Sequence, residues 1–196
     1  MTAEELELYW KSNYGDCPMI GYLVRSAFPE RWFRIHSLPE SKRYPRNKKD
    51  WKILLERHNQ IITDILGNAA NVLLITGSYH FNDNHDFINE DHVALKKYAF
   101  TEITDVNLYK LNQQNYDDGQ IFRPLFTKVF WNANQYNAIL KAVADDQIRF
   151  FLLSIEKNVI IAPYDGGIDF IMKDTETRDF YKSKYKEWLS ITKIGY

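Results

Sequence analysis

An α+β fold built on a mixed β-sheet is predicted by three features of this sequence. Residues 48–66 carry apolar side chains at helical spacing. The Val72-Leu73-Leu74-Ile75 run that follows is apolar on both faces, as in a central strand. Between 148 and 172, short apolar runs are divided by tight turn signals, the pattern of adjacent antiparallel strands. A length of 196 residues fits a single globular domain, with about four helices packed on the sheet.

The elements follow in order. Thr2 and Glu5 have capping-box spacing, so a first helix is expected to about Asn13, closed near Gly15. A turn over 16–18 leads into 21–24, which reads as a short strand. Residues 31–38 alternate: Phe33 and Ile35 point one way, and Trp32, Arg34 and His36 the other. The long helix takes Asn47 as N-cap and Gly67 as its terminator. Its stripe is Trp51, Leu54, Leu55, His58, Ile62, Ile65 and Leu66. A strand over 71–79 comes next. Strand, helix, strand at this distance predicts a right-handed crossover between parallel strands.

Residues 80–92 are polar and aperiodic and read as a loop. One strand is expected within 99–111 and a turn over 112–119. Another strand covers 121–131, placed at an edge by Pro124. A short amphipathic helix spans 132–144. The segment 148–155 is apolar on both faces, and Lys157-Asn158 turns it into a strand over 159–162. Pro163-Tyr164-Asp165-Gly166-Gly167 is a strong turn, and 168–172 is the last strand. A helix over 175–190, capped by Asp174, buries Tyr181, Tyr185, Trp188 and Leu189.

Composition removes several classes of function. Lys plus Arg is 25 against 26 for Asp plus Glu, a net charge of -1, so nucleic-acid binding lacks its usual basic excess. Cys17 is the only cysteine, which excludes an intrachain disulfide and a multi-thiolate zinc site. The acidic start and the lack of a long apolar stretch predict a cytoplasmic protein with no secretory signal and no membrane span. There is no GxGxxG, GxxxxGK[ST], GxSxG, HExxH or CxxC. Thr76-Gly77-Ser78-Tyr79 follows a strand but only faintly resembles a nucleophile elbow.

Five places hold chemistry-bearing residues, each with a structural alternative. His80, Asp83, His85 and His92 lie with Asp86, Glu90 and Asp91 in one segment, a donor set suited to zinc, manganese or iron if it converges. The alternative is a solvated polar loop. Five of the eight residues in 42–49 are basic, Lys42 and Arg43 among them, just before the long helix. They suit a phosphate or, given the net charge, an acidic protein surface; otherwise they are solvated. Lys48 and Lys49 sit against the helix dipole unless an acidic group offsets them. Arg34 and His36, with Glu40 nearby, suit a pocket floor or a covered sheet face. His58 on an apolar stripe suits a hydrogen-bonded core histidine better than a base. Asp165 and Asp169 flank a double glycine; they suit acid–base chemistry if they face each other, or a turn with positive φ.

Two stretches carry a resemblance. One is Arg34-Ile35-His36-Ser37-Leu38-Pro39-Glu40-Ser41-Lys42-Arg43-Tyr44, together with Leu55-Glu56-Arg57-His58-Asn59. The other is Ala162-Pro163-Tyr164-Asp165-Gly166-Gly167-Ile168-Asp169, followed by Tyr185-Lys186-Glu187-Trp188-Leu189-Ser190. Together they resemble a family of uncharacterised bacterial proteins of about this length. The resemblance spans nearly the whole chain and implies a bacterial cytosolic single-domain protein. It transfers no catalytic role. The expectation is therefore a non-catalytic binding or accessory protein of the immunity-protein type, acting on a protein partner. A metal-dependent hydrolase or transferase using the 80–92 segment on an anionic substrate, clamped by Arg34 and Lys42, is the alternative. A nucleic-acid accessory role for 42–49 is weaker. No catalytic residue, cofactor or oligomeric state is specified.

Overall fold

The computed structural model describes residues 1–81, the backbone of 84–87, and residues 92–189. Two helices open the chain: α1 (Ala3–Tyr14) and α2 (Gly21–Ala27). The Thr2 and Glu5 side chains cap α1 reciprocally, as their spacing predicts. Residues 21–24 form the start of α2 rather than a strand. Four apolar or aromatic positions in seven are too few to separate the two periods.

Strand β1 (Trp32–His36) leads through a 3₁₀ turn to α3 (Lys48–Leu66). Asn47 accepts from the Asp50 amide at 3.0 Å, the predicted N-cap. Asp50, in the first turn, also ion-pairs with Lys42 and accepts from the Arg46 amide at 2.7 Å. It is the acidic neighbour that Lys48 and Lys49 require.

Then come β2 (Ala70–Phe81), β3 (Asn84–Phe87), β4 (Thr101–Glu102), β5 (Val106–Asn107), a single turn α4 (Leu108–Leu111) and β6 (Gln120–Trp131). The C-terminal part is α5 (Asn137–Ala144), β7 (Phe151–Ser154), β8 (Val159–Tyr164), β9 (Gly167–Ile171) and α6 (Thr175–Lys184). The segment expected to be a loop over 80–92 in part extends β2 and returns as β3.

The α+β class holds, but the sheet is antiparallel throughout rather than mixed. Six helices pack on it among the described residues, not four. Its order is β1-β9-β8-β7-β2-β6-β4, with β3 on β2 and β5 on β6. Strands β1 and β2 do run the same way, as the strand–helix–strand pattern predicts. However, β9, β8 and β7, from the far end of the chain, fill the space between them. Local periodicity carries no information on such long-range insertion.

Pro124 is not on an edge strand. It lies where β4 ends opposite Leu125 and before β5 begins opposite Phe122. Its carbonyl faces outward and accepts from the Ile103 amide at 3.0 Å, so its nitrogen also faces outward, where no ladder donor is needed.

The sheet has helices on both faces. On one, α3, α5 and α6 cover Phe33, Ile35, Val72, Leu74, Leu152, Ile161, Ile168 and Phe170. On the other, α1 and α2 cover Leu73, Ile75, Phe126, Phe151, Leu153, Ile160 and Ile171. This is why 72–75 is apolar at every position. The residues predicted as the stripe of the last helix do pack on the first core, with Tyr185 buried and Tyr181, Trp188 and Leu189 against it, but the helix ends at Lys184 rather than 190: Trp188 lies in a 3₁₀ turn over 186–188 and Leu189 bridges to Ile35. No helix among the described residues is long and apolar enough to cross a membrane.

Candidate functional site

The short length of β7 creates the site. Its first residue, Phe151, pairs with Ile75 of β2, and Leu152 pairs with Ile161 of β8. Beyond that level Thr76–Ser78 of β2 pair with β6 alone before β3 joins at Tyr79, and β8 continues to Tyr164 on β9 alone. The sheet therefore forks. A cavity of about 430 Å³ lies at the fork, within the range of small-molecule sites. Its roof is the turn before α2 and α2 itself. Its floor is the chain entering β7, where Thr76 Oγ1 donates to the Arg149 carbonyl at 2.6 Å.

The two branches present different chemistry. The β1–β9–β8 branch offers Arg34, His36, Asp169 and Tyr164, the β2–β6 branch Ile75, Gly77, Tyr79 and Phe122. Arg25 from the roof, Arg43 from the rim and Arg149 from the floor complete the lining. Four guanidiniums thus face the cavity against one lining carboxylate.

The alternation of β1 works as read from the sequence. Phe33 and Ile35 enter the core, while Arg34 and His36 point to the cavity side. Register places Arg34 beside Asp169 and His36 beside Gly167. Asp169 Oδ1 accepts from Arg34 Nε at 2.7 Å and from Trp32 Nε1 at 2.7 Å; Oδ2 accepts from Arg34 Nη2 at 2.8 Å. The pair is buried, with side-chain exposures of 5% and 10%. The guanidinium also lies 4.3 Å over the Tyr164 ring. Burial pushes the Tyr164 phenol up to about 12.

Gly167 makes this packing possible. A Cβ there would lie 2.0 Å from the Ile35 carbonyl oxygen and 3.0 Å from Tyr164 Oη. Neither Gly166 nor Gly167 has positive φ, which corrects the conformational reason expected for the pair. Close approach of β1 and of the Tyr164 ring is what excludes a side chain.

His36 is 8% exposed, and its Nε2 has no hydrogen-bond partner among the described residues. Burial, followed by the Arg34 and Arg57 charges, holds it below the usual histidine range.

Other expected residues fall elsewhere. Asp165 and Asp169 do not face each other as an acid–base pair. Asp165 accepts from Arg43 Nε at 2.8 Å and Tyr44 Oη at 2.9 Å. Glu40 is exposed at φ 57 in the 3₁₀ turn and Lys42 is paired with Asp50; neither lines the cavity. His58 is a core histidine: it is fully buried, bonds Ser37 Oγ at 2.8 Å, and burial lowers it to about 3. Gly77 and Ser78 lie inside β2 rather than in a turn after it. Burial raises the Cys17 thiol to about 11.

The metal reading falls largely outside the described residues, where Asp83 lies. His80 lies next to the end of β2, and the backbone register sets it opposite His85 of β3. His92 bonds Gln147 Oε1 at 3.2 Å and the Ala94 amide at 3.2 Å. No group of three or more His, Cys, Asp or Glu suited to a metal occurs among the described residues.

Sequence reading missed Arg25, Arg149, Tyr22, Tyr79 and Phe122. They come from four stretches of chain, with Tyr22 and Arg25 sharing α2, and only the fork brings them together. No curated protein and no solved structure matches the chain. Residues 20–192, which include every residue lining the fork except Met19, match the model of a domain of unknown function (DUF3885), and the chain belongs to that family.

Proposed function

We propose that this protein is a binding protein for a small organic anion held at the fork of its sheet. The observation that carries this is the lining: four guanidiniums around one cavity, facing an apolar and aromatic wall. Guanidinium groups suit carboxylate and phosphate oxygens because their donors are planar and always charged. The opposite wall of Ile75, Tyr79 and Phe122, with Ile20 and Tyr22 above, suits a flat apolar part of the same ligand. Size agrees, since the cavity holds a molecule of small-metabolite dimensions.

The test is a thermal-shift and calorimetric titration with aromatic phosphates, sulfates and carboxylates against their uncharged analogues. Saturable stabilisation by anions alone, weakened at least about tenfold in Arg25→Gln and Arg43→Gln, supports the reading. Both arginines are partly or well exposed, and circular dichroism checks that the variants keep the fold before their affinities are compared. Equal response to the uncharged analogues, or no response to any anion, rejects it.

A protein partner is the second reading, supported by the exposed Phe130 and Phe180, 61% and 59% accessible. Its test is co-purification of a stoichiometric partner that Phe130→Ser/Phe180→Ser no longer retains.

A further inference from the structure

A second cavity, of about 320 Å³, lies beside the fork, and Tyr22 of α2 lines both. The two spaces differ in charge. The fork holds four guanidiniums. The second cavity is lined by Pro18, Leu23, Ala27 and Leu111, with the amides Asn112 and Asn115 and the Tyr116 ring. No Lys, Arg, His, Asp or Glu is among its described lining residues.

Packing joins the second cavity to one particular side of the fork. Ile20 and Phe122, from the fork, form a small hydrophobic cluster with Leu108. Tyr79 of the fork packs against this cluster, and so do Leu23 and Tyr116 of the second cavity. Apolar surface is therefore continuous from the β2–β6 branch into the second cavity. The buried Arg34–Asp169 pair belongs to the other branch. A ligand with its charge toward that branch and its apolar part on Phe122 and Tyr79 points its uncharged end at Tyr22.

Tyr22 suits a partition that a ligand can pass. Its hydroxyl bonds the Tyr116 hydroxyl, across from the turn that follows α4. Tyr22 is also exposed, so a hydroxyl that lets go is taken up by water at little cost. Leu111, at the end of α4, is exposed on the far side. Exposed apolar side chains at a cavity that a ligand fills regain the burial they lack without it.

We infer that the anion taken by the fork is amphiphilic, with a hydrocarbon tail that runs past Tyr22 into the second cavity, an inference that rests on the anion reading above. The head is a carboxylate or phosphate, which guanidiniums bind alike. The tail is uncharged, because the second cavity offers it apolar contacts and no counter-charge.

Para-alkyl benzoates and para-alkylphenyl phosphates test this, with the alkyl group lengthened from methyl to hexyl. The ring and head stay constant, so the series reads the tail alone. Calorimetry on the full chain should show affinity rising about threefold for each added methylene in whichever head binds. In Leu111→Gln and in Ala27→Glu, both at exposed positions outside the fork, the rise should flatten while the methyl compound binds as before. In the wild-type complex the terminal methyl of the hexyl compound should give nuclear Overhauser contacts to the Leu23 and Leu111 methyls, a readout that needs no variant. A flat series in the wild type overturns the inference, as does a rise that persists in both variants or a tail without contacts to Leu23 and Leu111. In those cases the methyl compound still binds and the anion reading stands. Failure of every member of both series to bind removes the anion reading itself.

Discussion

Asp169→Asn tests the buried pair on which one branch of the fork is built. The carboxylate accepts three bonds, two from Arg34 and one from Trp32, all between 2.7 and 2.8 Å. Asparagine keeps one oxygen acceptor but turns an amide N–H₂ toward Arg34 Nη2, so donor faces donor. It also leaves a guanidinium uncompensated at a site where the two side chains are 5% and 10% exposed. Breaking one side of such a pair costs about 3–5 kcal/mol, most of it the penalty of the orphaned charge. For a chain of 196 residues that is a fall in Tm of roughly 10 °C. The assay is urea unfolding followed by tryptophan fluorescence and circular dichroism, with the slope m checked for constancy. Replacing both partners, Arg34→Met with Asp169→Leu, recovers most of the loss, because no charge is then stranded. A loss under about 1 kcal/mol for Asp169→Asn alone refutes the argument that the pair is dry and mutually dependent.

Two further predictions follow from buried groups. His58 is neutral in the fold, depressed to about 3 by burial, and ordinary in the unfolded chain. The unfolded state therefore binds the extra proton, so this contribution to stability is intact above about pH 6.5 and is lost as pH falls toward 3. Urea titrations at pH 7, 6 and 5 should show a slope approaching about 1.4 kcal/mol per pH unit, flattened in His58→Asn; an identical slope in the variant assigns the acid sensitivity to other groups. Gly167→Ala forces a methyl carbon to within 2.0 Å of the Ile35 carbonyl, backbone against side chain with no rotamer to relieve it. It should cost at least about 3 kcal/mol and release β1 from the sheet edge, read as lost amide protection over 32–36; wild-type protection there contradicts the close-packing explanation.

The elements that sequence alone determined are those whose cause is local. The α1 capping box, the Asn47 and Asp174 caps and the stripe of α3 depend on residues within a few turns of one another. The alternation of β1 and the double-sided run in β2 record which faces are covered, because burial imprints a period on the residues themselves. The core role of His58 was legible for the same reason.

Tertiary structure decided what depends on pairing across the chain. The order of strands places β9, β8 and β7 between β1 and β2, although they lie far beyond both in the chain, the nearest of them starting at Phe151 when β2 has ended at Phe81. Hydrogen bonds between strands are identical whatever the partner, so side-chain pattern constrains the faces of a strand but not its neighbours. The fork follows from one such fact, that β7 starts at Phe151 while β2 and β8 run on past it. Arg34 and His36 were legible as one polar face, and Asp169 as a carboxylate at a turn. Arg25, Arg149 and Tyr79 carry no local mark, since a lining residue is defined by the space it faces, and that space exists only once the sheet has divided.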